Sequence, residues 1–144
     1  NAHARSYEYK IYHHPVRSSL KTGYYLWEPR SLNIDDMREA AAFLVGEHDF
    51  SCFRGSMCQA KSPIKTIEYL QIDEIGDDLI IKVKANAFLH HMVRNIVGTL
   101  LKIGRGEENP EWMLLVLDSK DRKEAGPTAE PQGLYFIKAH YQTL

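Results

Sequence analysis

Between Arg5 and Tyr12 the side chains alternate, with Tyr7, Tyr9 and Ile11 on one side and Ser6, Glu8 and Lys10 on the other. This is the two-residue period of a half-buried strand. His13-His14-Pro15 ends the run. Pro15 to Gly23 reads as a polar loop carrying Arg17 and Lys21, and Tyr24-Tyr25-Leu26-Trp27 as a short aromatic strand stopped by Pro29. The period then lengthens. Asn33 is a good N-cap for a helix expected from Ile34 to Val45, with Asp35 and Asp36 in its first turn and Gly46 past its end. Its apolar stripe is Ile34, Met37, Ala41 and Leu44. Glu47 to Pro63 is expected to be irregular, because His48, Arg54, Cys58, Gln59 and Lys61 are too polar for a core element. Long ordered loops of that kind are often functional.

Thr66 to Ile72 and Leu79 to Ala85 are β-rich runs joined by the acidic, glycine-containing stretch Asp73 to Asp78, the pattern of an antiparallel hairpin. The strongest helical signal spans Leu89 to Ile103, where Leu89, Met92, Val93, Ile96, Val97, Leu100 and Ile103 recur at three- and four-residue intervals before Gly104 and Gly106. So broad an apolar face implies packing on the sheet. Asn109-Pro110-Glu111 opens another helix, running through Trp112, Leu114, Leu115 and Leu117. Ser119 to Glu124 is charged, Gly126 to Gly133 irregular, and Leu134 to Tyr141 a terminal strand. The fold class expected is α+β: a single domain over residues 1–144 with a mainly antiparallel sheet packed by about three helices.

At 144 residues, 44% hydrophobic and 26% charged, the chain is able to bury one core. Its apolar runs fall far short of the roughly 20 residues of a membrane span, so no membrane association is expected. Asn1-Ala2-His3-Ala4-Arg5 has no initiator Met, basic n-region or apolar h-region, and the chain is read as part of a longer protein. Cys52 and Cys58 match neither a redox nor a zinc spacing, and read as free thiols of a reducing, cytoplasmic compartment. His13-His14 and His90-His91 are adjacent pairs whose rings are expected to diverge, so no metal site is anticipated. A formal net charge of −1 means that RNA binding, if present, must come from a local patch.

Four segments narrow the choice. Ala4-Arg5-Ser6-Tyr7-Glu8-Tyr9-Lys10-Ile11 is similar to an A-R-x-Y-x-Y-x-I strand. Gly46-Glu47-His48-Asp49-Phe50-Ser51-Cys52-Phe53-Arg54 with Cys58 to Pro63 matches a G-x-H-D-F-x-x-F-R loop and its C-x-A-K-S-P continuation. Phe88-Leu89-His90-His91-Met92-Val93-Arg94-Asn95-Ile96-Val97-Gly98 matches F-L-x-x-M-V-R-x-I-V-G. Ala125 to Ala129 with Gly133-Leu134-Tyr135 matches an A-P-T-A-x-x-x-G-L-Y ending. In order and spacing these resemble the tRNA pseudouridine synthase A family over essentially the whole chain. The departures are Gly126 before Pro127 and Glu130 where a proline is frequent. The family's upstream R-T-D-x-G-V-H-A segment, which carries its catalytic aspartate, has no counterpart here.

The resemblance implies the C-terminal half of a pseudouridine-synthase-like fold. It further implies conversion of uridine to pseudouridine at positions 38–40 of the tRNA anticodon arm, by a homodimer. That reaction breaks the bond from ribose C1′ to uracil N1 and remakes it to C5. Composition and redox state are unchanged, so no cofactor is required. The chemistry does require a carboxylate nucleophile, a group that keeps it ionised, a flat surface for the detached uracil, and a base extruded from its stack. By resemblance Arg94 pairs with the aspartate, a role suited to a guanidinium that stays charged when partly buried and grips a carboxylate with two nitrogens. The same resemblance implies that Tyr7 stacks on the uracil, with its hydroxyl placed to help transfer the C5 proton. Arg5, Arg54 and Lys61, with Arg17, Lys21 and Lys65, are candidate phosphate contacts, and His90 and His91, near Arg94, candidate contacts to the nucleotide. Phe50 and Phe53 are expected in the core. The alternative is a non-catalytic RNA-binding or dimerisation module, which is also what the chain alone, without the aspartate, is expected to be.

Overall fold

The computed structural model describes residues 2–142. Its strands are β1 (Ala4–His13), β2 (Leu26–Glu28), β3 (Gly46–Asp49), β4 (Ile64–Ile75), β5 (Asp78–Ala85) and β6 (Leu134–His140), and its helices α1 (Ile34–Ala42), α2 (Met92–Gly104) and α3 (Trp112–Ser119). One six-stranded sheet runs β2-β1-β5-β4-β3, with β6 also on β1. Every pairing is antiparallel except that of β2 with β1. The α+β expectation therefore holds.

Register explains which face carries the helices. Tyr7, Tyr9 and Ile11 stand opposite Val83, Ile81 and Leu79 on β5, and directly opposed residues share a face. Continued through Leu70 and Ile72 of β4, that face meets Met37, Ala41 and Leu44 around α1 and Met92, Ile96, Leu100 and Ile103 of α2 in one buried cluster. Phe50 and Phe53 are fully buried in it, as expected. Of the expected α1 stripe only Ile34 stays partly exposed, and Ala40 joins the buried set. Asn33 caps α1 by accepting the Asp36 backbone N–H at 3.0 Å.

Five expectations shift. The aromatic strand lies at Leu26–Glu28 rather than Tyr24–Trp27, because Ile11, Tyr12 and His13 register with Leu26, Trp27 and Glu28. Glu47–Asp49, the start of the stretch expected to be irregular, belongs to a strand, since Gly46 to Asp49 pair with Ile67 to Ile64. The helix α1 stops at Ala42, and Gly46 at φ +102° turns the chain into β3. The main helix starts at Met92 rather than Leu89, because His91 is left-handed at φ +61° and breaks the backbone ladder. The hairpin is also tighter than expected: Ile75 pairs with Asp78, leaving only Gly76 and Asp77, with Gly76 at φ +60°.

The end of α2 is tied to β2 by a buried carboxylate. Glu28, 2% exposed, accepts from Arg105 Nη1 at 3.0 Å and from Arg30 Nε at 3.0 Å. Removing one partner of such a pair leaves the other desolvated and uncompensated. Glu28→Ala is expected to lower stability by about 3 kcal/mol, read as a shift of the urea unfolding midpoint. A midpoint equal to that of the parent would show that the pair contributes nothing.

Candidate active site

Strand period and helix start bring three of the sequence candidates to one place. Tyr7 projects from the middle of β1 toward α2, and Arg94 lies in the first turn of α2, two residues beyond its start. Together with Phe88, Leu89, His91, Met92, Val93 and Leu134 they line a pocket of about 90 Å³. Phe88 meets the Tyr7 ring edge-on with centroids 5.0 Å apart, and Phe136 does so at 5.5 Å. Such pairs hold a ring at a fixed tilt. The pocket therefore has aromatic and aliphatic walls and one cationic group.

The two tyrosines of the first strand motif are separated by what their hydroxyls do. Tyr9 is fully buried and its O–H donates to the Glu130 carbonyl. Burial raises its pKa well above that of a free phenol, reinforced by Glu130 and opposed by Arg94. It is a structural residue. The half-buried Tyr7 phenol has no hydrogen-bond partner among the described residues and lines the pocket.

Arg94 is held from one side only. Its Nε donates to the Ala129 carbonyl at 2.7 Å, while the Ala129 N–H donates to the Arg94 carbonyl at 3.0 Å. Among the described residues its two terminal nitrogens have neither a hydrogen bond nor an ion pair, and no carboxylate lines the pocket. The guanidinium is thus aimed and left with its two-nitrogen edge free, the geometry a carboxylate accepts.

The segment holding Arg94 is itself clamped. Asn95, fully buried, donates from Nδ2 to the Phe53 carbonyl at 2.8 Å, and its Oδ1 accepts from Thr128 at 2.6 Å and Arg122 at 3.0 Å. Arg122 also donates to the Gly126 carbonyl at 2.7 Å, and Thr99 Oγ1 accepts the Gly126 N–H at 2.9 Å. Sequence reasoning did not single out Asn95, Thr99 or Arg122. The available signal was two uncharged polar residues, Asn95 and Thr99, four apart among the apolar positions of α2. Asn95→Ala removes the partner of three groups at once, and unsatisfied buried polar groups cost about 1–3 kcal/mol each. A loss of about 3 kcal/mol is expected in thermal or urea unfolding. A loss under about 1 kcal/mol would mean that water replaces the amide.

His91 lines the pocket, and its pKa lies below the ordinary histidine value through partial desolvation, then the neighbouring His90 and Arg94. The expectation of diverging rings fails at the second histidine pair. His90 and His91 stack with centroids 3.8 Å apart, because the left-handed His91 makes this a turn rather than a helix. That turn is pinned from the loop after Phe53. The Gly55 N–H donates to the His90 carbonyl at 2.8 Å, and the His90 N–H donates to Cys58 Sγ at 3.4 Å. A Cβ on Gly55 would lie 2.9 Å from both the His90 ring and its carbonyl. Arg54 belongs to the same loop and donates from Nη2 to the Ala60 carbonyl at 2.5 Å. Lys61 is exposed farther along it, and Arg5 is exposed two residues before Tyr7 on the same strand. Lys65 lies on β4 opposite His48, while Arg17 and Lys21 occupy a separate hollow.

The two free thiols differ sharply. Burial pushes the Cys52 thiol up to about 12. At Cys58 burial also pulls upward, but the backbone N–H groups of His90 and Ala60 and the Arg54 guanidinium outweigh it, and the net shift is downward. Iodoacetamide is expected to label the native chain once, at Cys58, and Cys52 only after unfolding. Peptide mass spectrometry reads this directly, and native labelling of Cys52 would contradict the buried placement.

Comparison with known proteins shows the family. A family model described as tRNA pseudouridine synthase matches residues 40–142. The tRNA pseudouridine synthase A of Janthinobacterium sp. (strain Marseille) is 50% identical over 141 residues, covering 98% of this chain and 52% of that protein. The enzyme of the same name from Herminiimonas arsenicoxydans is 51% identical over 141 residues, covering 98% and 51%. That from Burkholderia mallei (strain SAVP1) is 51% identical over 140 residues, covering 97% and 52%. The chain belongs to the tRNA pseudouridine synthase family. It spans about half the length of these relatives.

Proposed function

We propose that this chain is the C-terminal half of an enzyme that isomerises uridine to pseudouridine at positions 38–40 of the tRNA anticodon arm, acting as a cytoplasmic homodimer. The observation that carries the reading is the meeting of Tyr7 and an Arg94 with a free two-nitrogen edge in one aromatic-walled pocket. In this proposal the nucleophilic aspartate comes from the part of the protein that this chain does not span. Arg94 holds it ionised, a task that a desolvated carboxylate cannot manage unaided. The uracil leaves C1′ from N1, turns against the faces of Tyr7 and Phe88, and bonds through C5. Loss of the C5 proton and gain of one at N1 complete the isomerisation, with the Tyr7 hydroxyl beside the ring that must lose its proton. In this reading His91, which lines the pocket, contacts the RNA together with His90, Arg54, Lys61 and Arg5. No helix among the described residues is long and apolar enough to cross a membrane.

The test is release of tritium from tRNA labelled at uracil C5. The chain alone is expected to release none, binding RNA without turnover. Joined to the part of the Herminiimonas arsenicoxydans relative that it does not cover, it is expected to release label from an anticodon stem-loop. A joined protein that folds and binds tRNA yet releases no label would sink the reading.

A further inference from the structure

A second concentration of aromatic and cationic side chains lies where β1 changes partner. On that edge β6 pairs with Ala4 to Tyr9 and β2 with Ile11 to His13, which leaves a gap at Lys10. Gly133 closes onto the gap so tightly that a Cβ there would sit 2.7 Å from the Lys10 carbonyl. The loop between β1 and β2 folds over the same place and forms a hollow of about 220 Å³, walled by Tyr12, Tyr25 and Trp27 with Arg17, Lys21 and Gln132 around it.

The walls are fixed and charged rather than greasy. The Trp27 indole N–H donates to the His14 carbonyl at 2.9 Å, yet the residue remains 37% exposed, with the Arg17 guanidinium 5.6 Å from its ring. Lys21 sits 4.6 Å from the Tyr25 ring and 5.2 Å from the Tyr12 ring. Lys10 lies 4.8 Å from the Tyr135 ring. An ordered indole left open to water beside cations suits a flat, polar, anion-bearing ligand better than an aliphatic one. The volume is below the roughly 300 Å³ at which sites for larger small molecules begin, so it fits a single ring system. Electrostatics alone does not account for binding, because Lys21 is paired with Asp78 and the acidic residue Glu130 also lines the hollow. Stacking has to carry most of the affinity.

Position supplies the identity. Glu130 and Gln132 line this hollow, Leu134 lines the Tyr7–Arg94 pocket, and Ala129 holds Arg94. One short segment, 129–134, is thus shared by both. We infer that the hollow holds one unpaired base of the RNA, near in sequence to the uridine that enters the Tyr7–Arg94 pocket, laid against Trp27 with its phosphate beside Arg17. This rests on the reading of the chain as an RNA-modifying half, and it adds a second gripping point around the sheet edge.

The test isolates Trp27 optically. In a Trp112→Phe version of the chain, Trp27 is the single indole, and an anticodon stem-loop RNA is titrated while the anisotropy of a labelled copy reports binding. Trp27 emission is expected to be quenched in step with the anisotropy. In the Trp27→Ala chain the Kd for the stem-loop is expected to rise about tenfold, with little change for a blunt duplex that offers no unpaired base. Unchanged emission while RNA is bound, an unchanged Kd in Trp27→Ala, or no binding of RNA at all each overturns the inference. The emission readout needs no change at the site, so a folding defect in Trp27→Ala does not shield it. In the joined enzyme, Trp27→Ala with unaltered kcat and KM alongside an inactive Arg94→Ala would remove this hollow while leaving the catalytic reading in place.

Discussion

Arg94→Ala in the joined enzyme is expected to reduce kcat by about a thousandfold or more while leaving tRNA affinity within a few fold. The scale follows from the loss of a preorganised charge beside a reacting carboxylate, where removal of a single donor costs a factor of about 10²–10³. Here the nucleophile also loses the group that keeps it ionised. Stability should hardly move, because the one hydrogen bond that the Arg94 side chain makes among the described residues runs to the Ala129 carbonyl, worth about 1 kcal/mol. Arg94→Lys separates charge from geometry. A lysine ammonium cannot both reach Ala129 and present two parallel donors to a carboxylate, so kcat is expected to stay at least about a hundredfold down. Tritium release under single-turnover conditions reads the chemical step. Full activity in Arg94→Ala would remove the guanidinium from the reaction and with it the role proposed for the pocket.

What could be read from the residues and what could not divides along the range of the interactions. The strand β1, the cap at Asn33 and the β4–β5 hairpin follow from period and turn chemistry within a few residues, and the structure keeps them with boundaries moved by one to three positions. The strand β3 was missed because Gly46 to Asp49 have no apolar alternation of their own. They become a strand through pairing with β4, a partner about twenty positions along the chain. The start of α2 was misplaced for a related reason. Leu89 fits the apolar period and is buried, yet the left-handed His91 stands between it and the helix. A buried side chain at the right spacing does not require a helical backbone beneath it.

The candidate site shows the same division. Family resemblance gave the positions Tyr7 and Arg94, but local pattern could not say which of two tyrosines on one face has an unspent hydroxyl. That depends on Glu130, far along the chain, accepting the Tyr9 O–H. The Asn95, Thr99 and Arg122 clamp was equally invisible, since its partners at Phe53, Gly126 and Thr128 are joined only by folding. Buried polar residues inside an apolar helix are the one local trace such networks leave, because burial without partners is too costly to persist.

Gly98→Ala sets two opposing effects against each other, and their sizes decide the sign. In a helix interior, alanine is favoured over glycine by about 1 kcal/mol. Against that, a Cβ on Gly98 would lie 1.6 Å from the Pro127 carbonyl oxygen and 2.8 Å from its carbon, both backbone atoms. Ordinary contact is about 3.5 Å, so the loop must retreat by more than about 1.5 Å. Gly126 cannot absorb that by moving inward, since its own Cα already faces the Gly98 carbonyl, where a Cβ would meet oxygen at 2.8 Å. The retreat breaks the Gly126-to-Thr99, Thr128-to-Asn95 and two Arg94–Ala129 hydrogen bonds. At about 1 kcal/mol each, the net expected loss is about 3 kcal/mol in urea unfolding, with Arg94 released from its aim and activity in the joined enzyme falling with it. Gly106→Ala is the comparison. Gly106 has φ +80° and nothing within 4 Å of a Cβ, so only backbone strain is at issue, about 1 kcal/mol. If Gly98→Ala proves as stable as the parent chain while Gly106→Ala does not, helix propensity has won, and the close approach of α2 to the 125–129 segment that positions Arg94 is wrong.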